Sequence, residues 1–278
     1  MESLLIFAAM LGVFGAAAVL LLGPLGLVVL GGALGVFFGM GRQASSGVVP
    51  HDMARVGELE APELYRIVRT LAERAGLSRV PSIYISRSPM LNAAAFGRAQ
   101  APGLMVTVPL YRQLSQRELA GVLAHEISHI RNNDLAIFRL ANTIRSLTSA
   151  VANGFWLMVL LYFPVLLVAQ TAISLQAFLV LLLAPTVSVF LQLALYRIRE
   201  FGADMTAVEL TGDPEALAIA LRKIDYAGRG ILRQLFPVPR RESSSLLRTH
   251  PSTEKRVERL LQLDYAHRRR ERSTLHAS

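Results

Sequence analysis

Ser115-Gln116-Arg117-Glu118-Leu119-Ala120-Gly121-Val122-Leu123-Ala124-His125-Glu126-Ile127-Ser128-His129 is the stretch from which the chain is read. Its first four residues have the form of a capping box, with Ser115 placed to accept backbone N–H bonds and Glu118 reaching back. The helix they open runs through apolar Leu119 to Ala124, which buries it. It then reaches His125-Glu126-Ile127-Ser128-His129, an HExxH sequence. Residues four apart share a helix face one turn apart, so both imidazoles can reach one ion. Glu126 is offset from that pair and placed to hold a water beside the ion. Two histidines and a glutamate on a buried helix need partners.

A catalytic zinc takes three protein ligands and keeps a fourth position open. The chain has no cysteine, so the third ligand is a histidine or a carboxylate. Glu200-Phe201-Gly202-Ala203-Asp204 offers two acids, again four apart on one helix face. Either is expensive if it faces lipid directly after an apolar span. The other histidines carry weaker signals: His51 precedes the first helix of the polar part, and His267 and His276 lie in a basic tail.

Outward from these motifs the composition changes. The chain has 278 residues, 53% of them hydrophobic and 18% charged, with a mean hydropathy of +0.42. Ordinary globular chains carry about 25% charged residues. The deficit is concentrated in two blocks, Leu4–Gly41 and Ser146–Tyr196, which contain no charge at all. A membrane span needs roughly 20 apolar residues. Gly23-Pro24-Leu25-Gly26 divides the first block into spans at Leu4–Leu22 and Leu25–Met40. The second divides near Gln170 into Leu147–Ala169 and Ile173–Tyr196. Four transmembrane helices in two hairpins are expected. A cleaved signal peptide is disfavoured, because Glu2 stands where the basic region belongs and apolar sequence continues past Ala16-Ala17-Ala18.

All 29 lysines and arginines lie in residues 41–145 and 197–278. The positive-inside rule puts both termini and the polar part on the cytoplasmic side of a prokaryotic membrane. A net charge of +9 suits a domain resting on an anionic leaflet. No basic aromatic platform or recognition helix points to nucleic acid. Residues 1–41 and 146–196 are thus expected as membrane hairpins, and 42–145 and 197–278 as two segments of one water-exposed domain. Within that domain Leu64, Ile67, Val68 and Leu71 mark an amphipathic helix. Ser82–Ser86, Ala93–Phe96 and Leu104–Val108 have strand character between turn residues, predicting a small antiparallel meander. A later helix runs from about Arg197 to Thr211 and stops at Gly212, before Asp213-Pro214 starts the next.

His125–Asp134 (HEISHIRNND) and Arg197–Asp204 (RIREFGAD), with a membrane hairpin between them, resemble the paired signatures of the HtpX family of membrane zinc metalloproteases. That family is related to the CAAX prenyl-protein endoproteases. His250-Pro251-Ser252-Thr253-Glu254-Lys255-Arg256 resembles its HPxxxxR element. The resemblance implies a mainly α integral membrane protein carrying an α+β zincin-like (gluzincin) protease domain. It implies one zinc per chain on His125, His129 and Glu200, with Glu126 as general base and acid. Asp204 would orient a ligand histidine, and His250 and Arg256 would polarise the scissile carbonyl or hold substrate. Asn92 matches the asparagine that starts the family's substrate-binding edge strand, although Asn92-Ala93-Ala94-Ala95-Phe96-Gly97 departs from its usual NAFATG. The implied activity is endopeptidase cleavage of unfolded or misassembled membrane proteins in membrane quality control. The alternatives are a site-specific processing protease of the CAAX type and a catalytically silent scaffold or chaperone.

Overall fold

The computed structural model describes residues 2–24, 28, 31–32, 53–98, 100–169, 175–235 and 253–263. Of the expected span Leu25–Met40 only residues 28, 31 and 32 are among them, and the turn at Gln170, His51, His250, His267 and His276 lie outside them. The chain forms two compact units, one from residues 1–47 and 137–198, the other from 48–136 and 199–278.

The first unit holds helix α1 (Glu2–Leu22) and the apolar lengths of α5 (Asp134–Ala169) and α6 (Leu175–Thr211). Phe138 meets Tyr196 edge-on at 4.6 Å between ring centroids, and Trp156 meets Phe178 at 5.4 Å. One partner advances along α5 as the other retreats along α6, so the two are antiparallel. Eighteen residues of helix between those contacts span about 27 Å, close to the hydrocarbon thickness of a bilayer. Met10 and Phe14 of α1 pack with Ala141, Ile144 and Leu195, and Ala17 packs with Phe155, Leu181 and Ala184. The outward side chains Leu5, Leu160 and Leu175 are about 70% exposed. Among the described residues two helices, α1 and α6, are long and apolar enough to cross a membrane.

The second unit is built on a four-stranded sheet. Its strands are β1 (Met53–Arg55), β2 (Ser82–Ser86), β3 (Ala93–Arg98) and β4 (Ala101–Thr107), in the order β1-β2-β4-β3. The expected all-antiparallel meander is corrected here: β2 and β4 are parallel, and β1 is an additional strand. Burial explains the order. Every residue of β4 from Pro102 to Thr107 is buried, so this strand takes the centre, while the half-buried alanines of β3 suit an edge. Gly103 permits the arrangement, because a Cβ there would stand 2.5 Å from the Phe96 ring. That ring lies over Gly103 and contacts Tyr84 edge-on.

The sheet packs on α2 (Pro62–Arg74), α3 (Val108–Gln113) and α4 (Gln116–Arg131). Leu64, Val68, Ile83, Leu104, Val106, Leu110, Leu123 and Ile127 form the centre of this core. The capping box forms as expected: Ser115 N–H donates to Glu118 Oε2 at 2.8 Å, and Glu118 N–H donates to Ser115 Oγ. Gly121 lets α4 approach α7 (Pro214–Leu235), its missing Cβ position being 3.2 Å from Leu217. α6 ends at Thr211 before Gly212 at φ +69°, and the Asp213 side chain caps α7 through the Ala216 N–H. A final helix, α8 (253–263), seats Val257 and Leu260 in the same core.

Candidate active site

HExxH lies in the second half of α4, buried by the apolar residues before it. The His125 and His129 rings are 4.8 Å apart and nearly perpendicular. Glu200 on α6 comes to both: its Oε2 is 3.4 Å from His125 Nε2, and its Oε1 is 3.8 Å from His129 Nε2. The three ligand atoms lie within 4.8 Å of one another, and all three residues are buried. Two donors bound about 2.1 Å from one tetrahedral ion stand roughly 3.4 Å apart. The spacing therefore fits a single metal ion.

Each ring is held from behind. His125 Nδ1 is 3.0 Å from Asp204 Oδ1, and His129 Nδ1 is 2.8 Å from Asp134 Oδ2. With a proton on each Nδ1, the Nε2 lone pairs both face Glu200. Sequence reasoning anticipates Asp204 and misses Asp134, although Asp134 closes the quoted HEISHIRNND segment. The signal available is the Asn132-Asn133 pair, a local helix breaker.

Arg256 of α8 is buried and faces these groups. Its Nε and Nη2 donate to both oxygens of Asp204, at 2.8 and 2.6 Å, and its Nη1 lies 3.0 Å from Glu200 Oε2. Nη2 is also 3.3 Å from Nδ1 and 3.4 Å from Nε2 of His125. Near-equal distances of that size place it over the ring face, in line with neither lone pair. Arg259, one turn on, stacks over the Phe201 ring at 4.9 Å, a second hold of α8 on the same turn of α6.

Glu126 is turned toward the sheet, where its Oε2 accepts the Ala95 N–H of edge strand β3 at 2.8 Å. Asn92 stands at the start of that strand, and its backbone is tied to Thr107: its N–H donates to Oγ1, and its carbonyl accepts the Thr107 N–H. In this segment Ala95 makes the hydrogen bond to the site.

With His125 neutral, as a metal ligand must be, the cluster holds Glu126, Asp134, Glu200 and Asp204 against Arg199 and Arg256, two negative charges in excess. A divalent cation cancels that excess. Burial and the Arg256 charge both depress the His125 pKa, but hydrogen bonds to Asp204 and Glu200 outweigh them and carry it up to about 9. Below that pH an entering cation displaces a proton from His125. Apparent metal affinity therefore rises with pH, by about tenfold per unit between roughly pH 6 and 8, which chelator-competition titrations check.

Two imidazoles from one helix, an acid between them and a carboxylate from a second helix define the class of metal-dependent peptidases. The chain belongs to peptidase family M48, whose model matches residues 58–264. It is similar to a protease HtpX homolog of Acaryochloris marina, 38% identical over 226 residues, covering 76% of this chain and 75% of that protein. A protease HtpX homolog of Paraburkholderia phytofirmans is 33% identical over 227 residues, covering 77% and 78%. Among solved structures, S. mikatae Ste24p shares the fold with a TM-score of 0.54 at 19% identity. The match takes in 92% of this chain, which spans about three-fifths (61%) of the length of Ste24p. This chain is thus an HtpX-like metalloprotease, with His125, His129 and Glu200 positioned as metal ligands.

Proposed function

We propose that the protein is a zinc endopeptidase of a prokaryotic cytoplasmic membrane that cleaves unfolded or misassembled membrane proteins at the cytoplasmic face. The observation that carries this reading is the convergence of His125, His129 and Glu200 on one buried point, with Glu126 alongside. The reading assigns zinc to the site because two nitrogens and one oxygen suit that ion. When bound, zinc supplies Lewis acidity, polarising a carbonyl and making water nucleophilic near neutral pH.

Glu126 takes a proton from water as the water oxygen adds to the scissile carbonyl carbon. It then hands that proton to the amide nitrogen as the C–N bond breaks, leaving a carboxylic acid and an amine, which part as carboxylate and ammonium once the acid's proton passes to the amine. Oε2 is engaged by Ala95, so the reading gives the proton to Oε1. His250 is assigned to the developing oxyanion and Asn92 to the substrate on family resemblance.

The substrate chain adds to β3 as an extended strand. Gly97 pairs with Pro102, which has no N–H, so that pair is a non-hydrogen-bonded one and so are Ala95·Leu104 and Ala93·Val106. The Ala93 N–H and the Ala93 and Ala95 carbonyls consequently face away from β4, toward an incoming strand, while the Ala95 N–H on the same side is held by Glu126. Backbone pairing supplies affinity with little side-chain selectivity, which suits unfolded substrates. The basic residues flanking both apolar blocks support four spans with the protease unit and both termini in the cytoplasm.

Protein purified in detergent without chelator should carry about one zinc per chain and cleave an unfolded polypeptide at several positions. Metal-free protein, or cleavage confined to one defined C-terminal motif, would overturn the reading.

A further inference from the structure

We propose that Asp134 is a positioning residue for His129, with Arg199 as its counter-ion, and that the helix break before it serves to deliver it. This rests on the reading of His129 as a metal ligand. In an unbroken helix Asp134 would lie five residues past His129, about 140° around the axis, and could not reach that ring. The chain avoids this. α4 is capped at Asn132, whose N–H donates to the Ser128 carbonyl, and Asn133 takes the left-handed conformation at φ +57°. Asparagine tolerates that conformation better than other residues with a side chain beyond Cβ. α5 then starts afresh at Asp134, which turns back under the ring and meets Nδ1 at 2.8 Å.

Asp134 is completely buried, so its charge needs an answer. Arg199 gives it: Nη1 stands 3.0 Å from Asp134 Oδ1, off the line of a hydrogen bond, so the contact is ionic. Arg199 directly precedes Glu200 on α6. The pair therefore joins the start of α5, the ligand histidine of α4 and the ligand turn of α6. His125 is served the same way by Asp204 and Arg256. The site thus has two chains of arginine, aspartate and imidazole, one per ligand histidine.

Asp134→Asn keeps the size of the side chain but allows its amide to donate to Nδ1, which moves the ring proton to Nε2 and blocks the ligand atom. The expected result is a 10–100-fold weaker zinc affinity by chelator competition. A changed absorption spectrum after cobalt substitution and recovery of cleavage in excess zinc should accompany it. Unchanged affinity and spectrum in Asp134→Asn would overturn the proposal. Wild-type protein that binds no zinc would instead defeat the reading on which it rests. If Asp134→Asn fails to fold, Arg199→Gln decides: weaker zinc binding with an unchanged melting temperature supports the proposal, and wild-type affinity overturns it.

Discussion

Glu126→Gln leaves the chain folded and able to bind metal but lowers the rate of peptide cleavage by about 10²–10⁴-fold. The substitution keeps the shape of the side chain and removes only its capacity to take a proton. Its amide oxygen still accepts the Ala95 N–H, so edge strand β3 keeps its place against α4. Glu126 lies outside the cluster of ligand atoms formed by His125, His129 and Glu200, so metal content should match that of the wild type. The loss belongs in kcat, because the substrate strand and the ligands are untouched. Elemental analysis and rates on an unfolded polypeptide, measured on the same preparations, check it. A variant that cleaves at the wild-type rate removes Glu126 from the chemistry, and one that loses metal makes it a structural partner of the site.

Features set by a few neighbouring residues are legible in the sequence alone. Ser115 and Glu118 announce the start of α4, the spacing of His125 and His129 puts both rings on one face, and Gly212-Asp213-Pro214 marks the junction of α6 and α7. Glu200 is legible as one of two acids on a helix face, although its meeting with α4 depends on long-range packing. Other features depend on conformations that sequence spacing does not encode. Asp134 reaches His129 only because Asn133 adopts a left-handed conformation, so a straight-helix reading points it elsewhere. The strands β2, β3 and β4 are visible from their composition, but their lateral order follows the burial of β4 and not its position in the chain. Arg256 is visible within an HPxxxxR pattern. Its direction is set by Val257 and Leu260, which seat α8 in the core and turn the guanidinium onto Asp204.

That direction sets Arg256 against Asp204 and Glu200, and Arg256→Met should reveal what the contact contributes. The substitution preserves much of the apolar stem and deletes the charge that answers Asp204 and Glu200. Removing one partner of a buried ion pair costs about 3–5 kcal/mol, because the remaining charge stays desolvated. For a domain of this size that lowers the Tm by on the order of 10 °C. The loss should be larger in chelator than in zinc, since a divalent ion beside Glu200 offsets part of the exposed negative charge. Arg256→Lys should recover only part of the stability: an ammonium restores the charge but cannot hold both Asp204 oxygens in the fork that Nε and Nη2 form. Melting curves in detergent, with and without zinc, separate this from a role at the substrate. A substrate contact would leave the metal-free Tm unchanged and raise KM alone. A clamp on the ligand turn moves the Tm, and moves it most when the metal is gone.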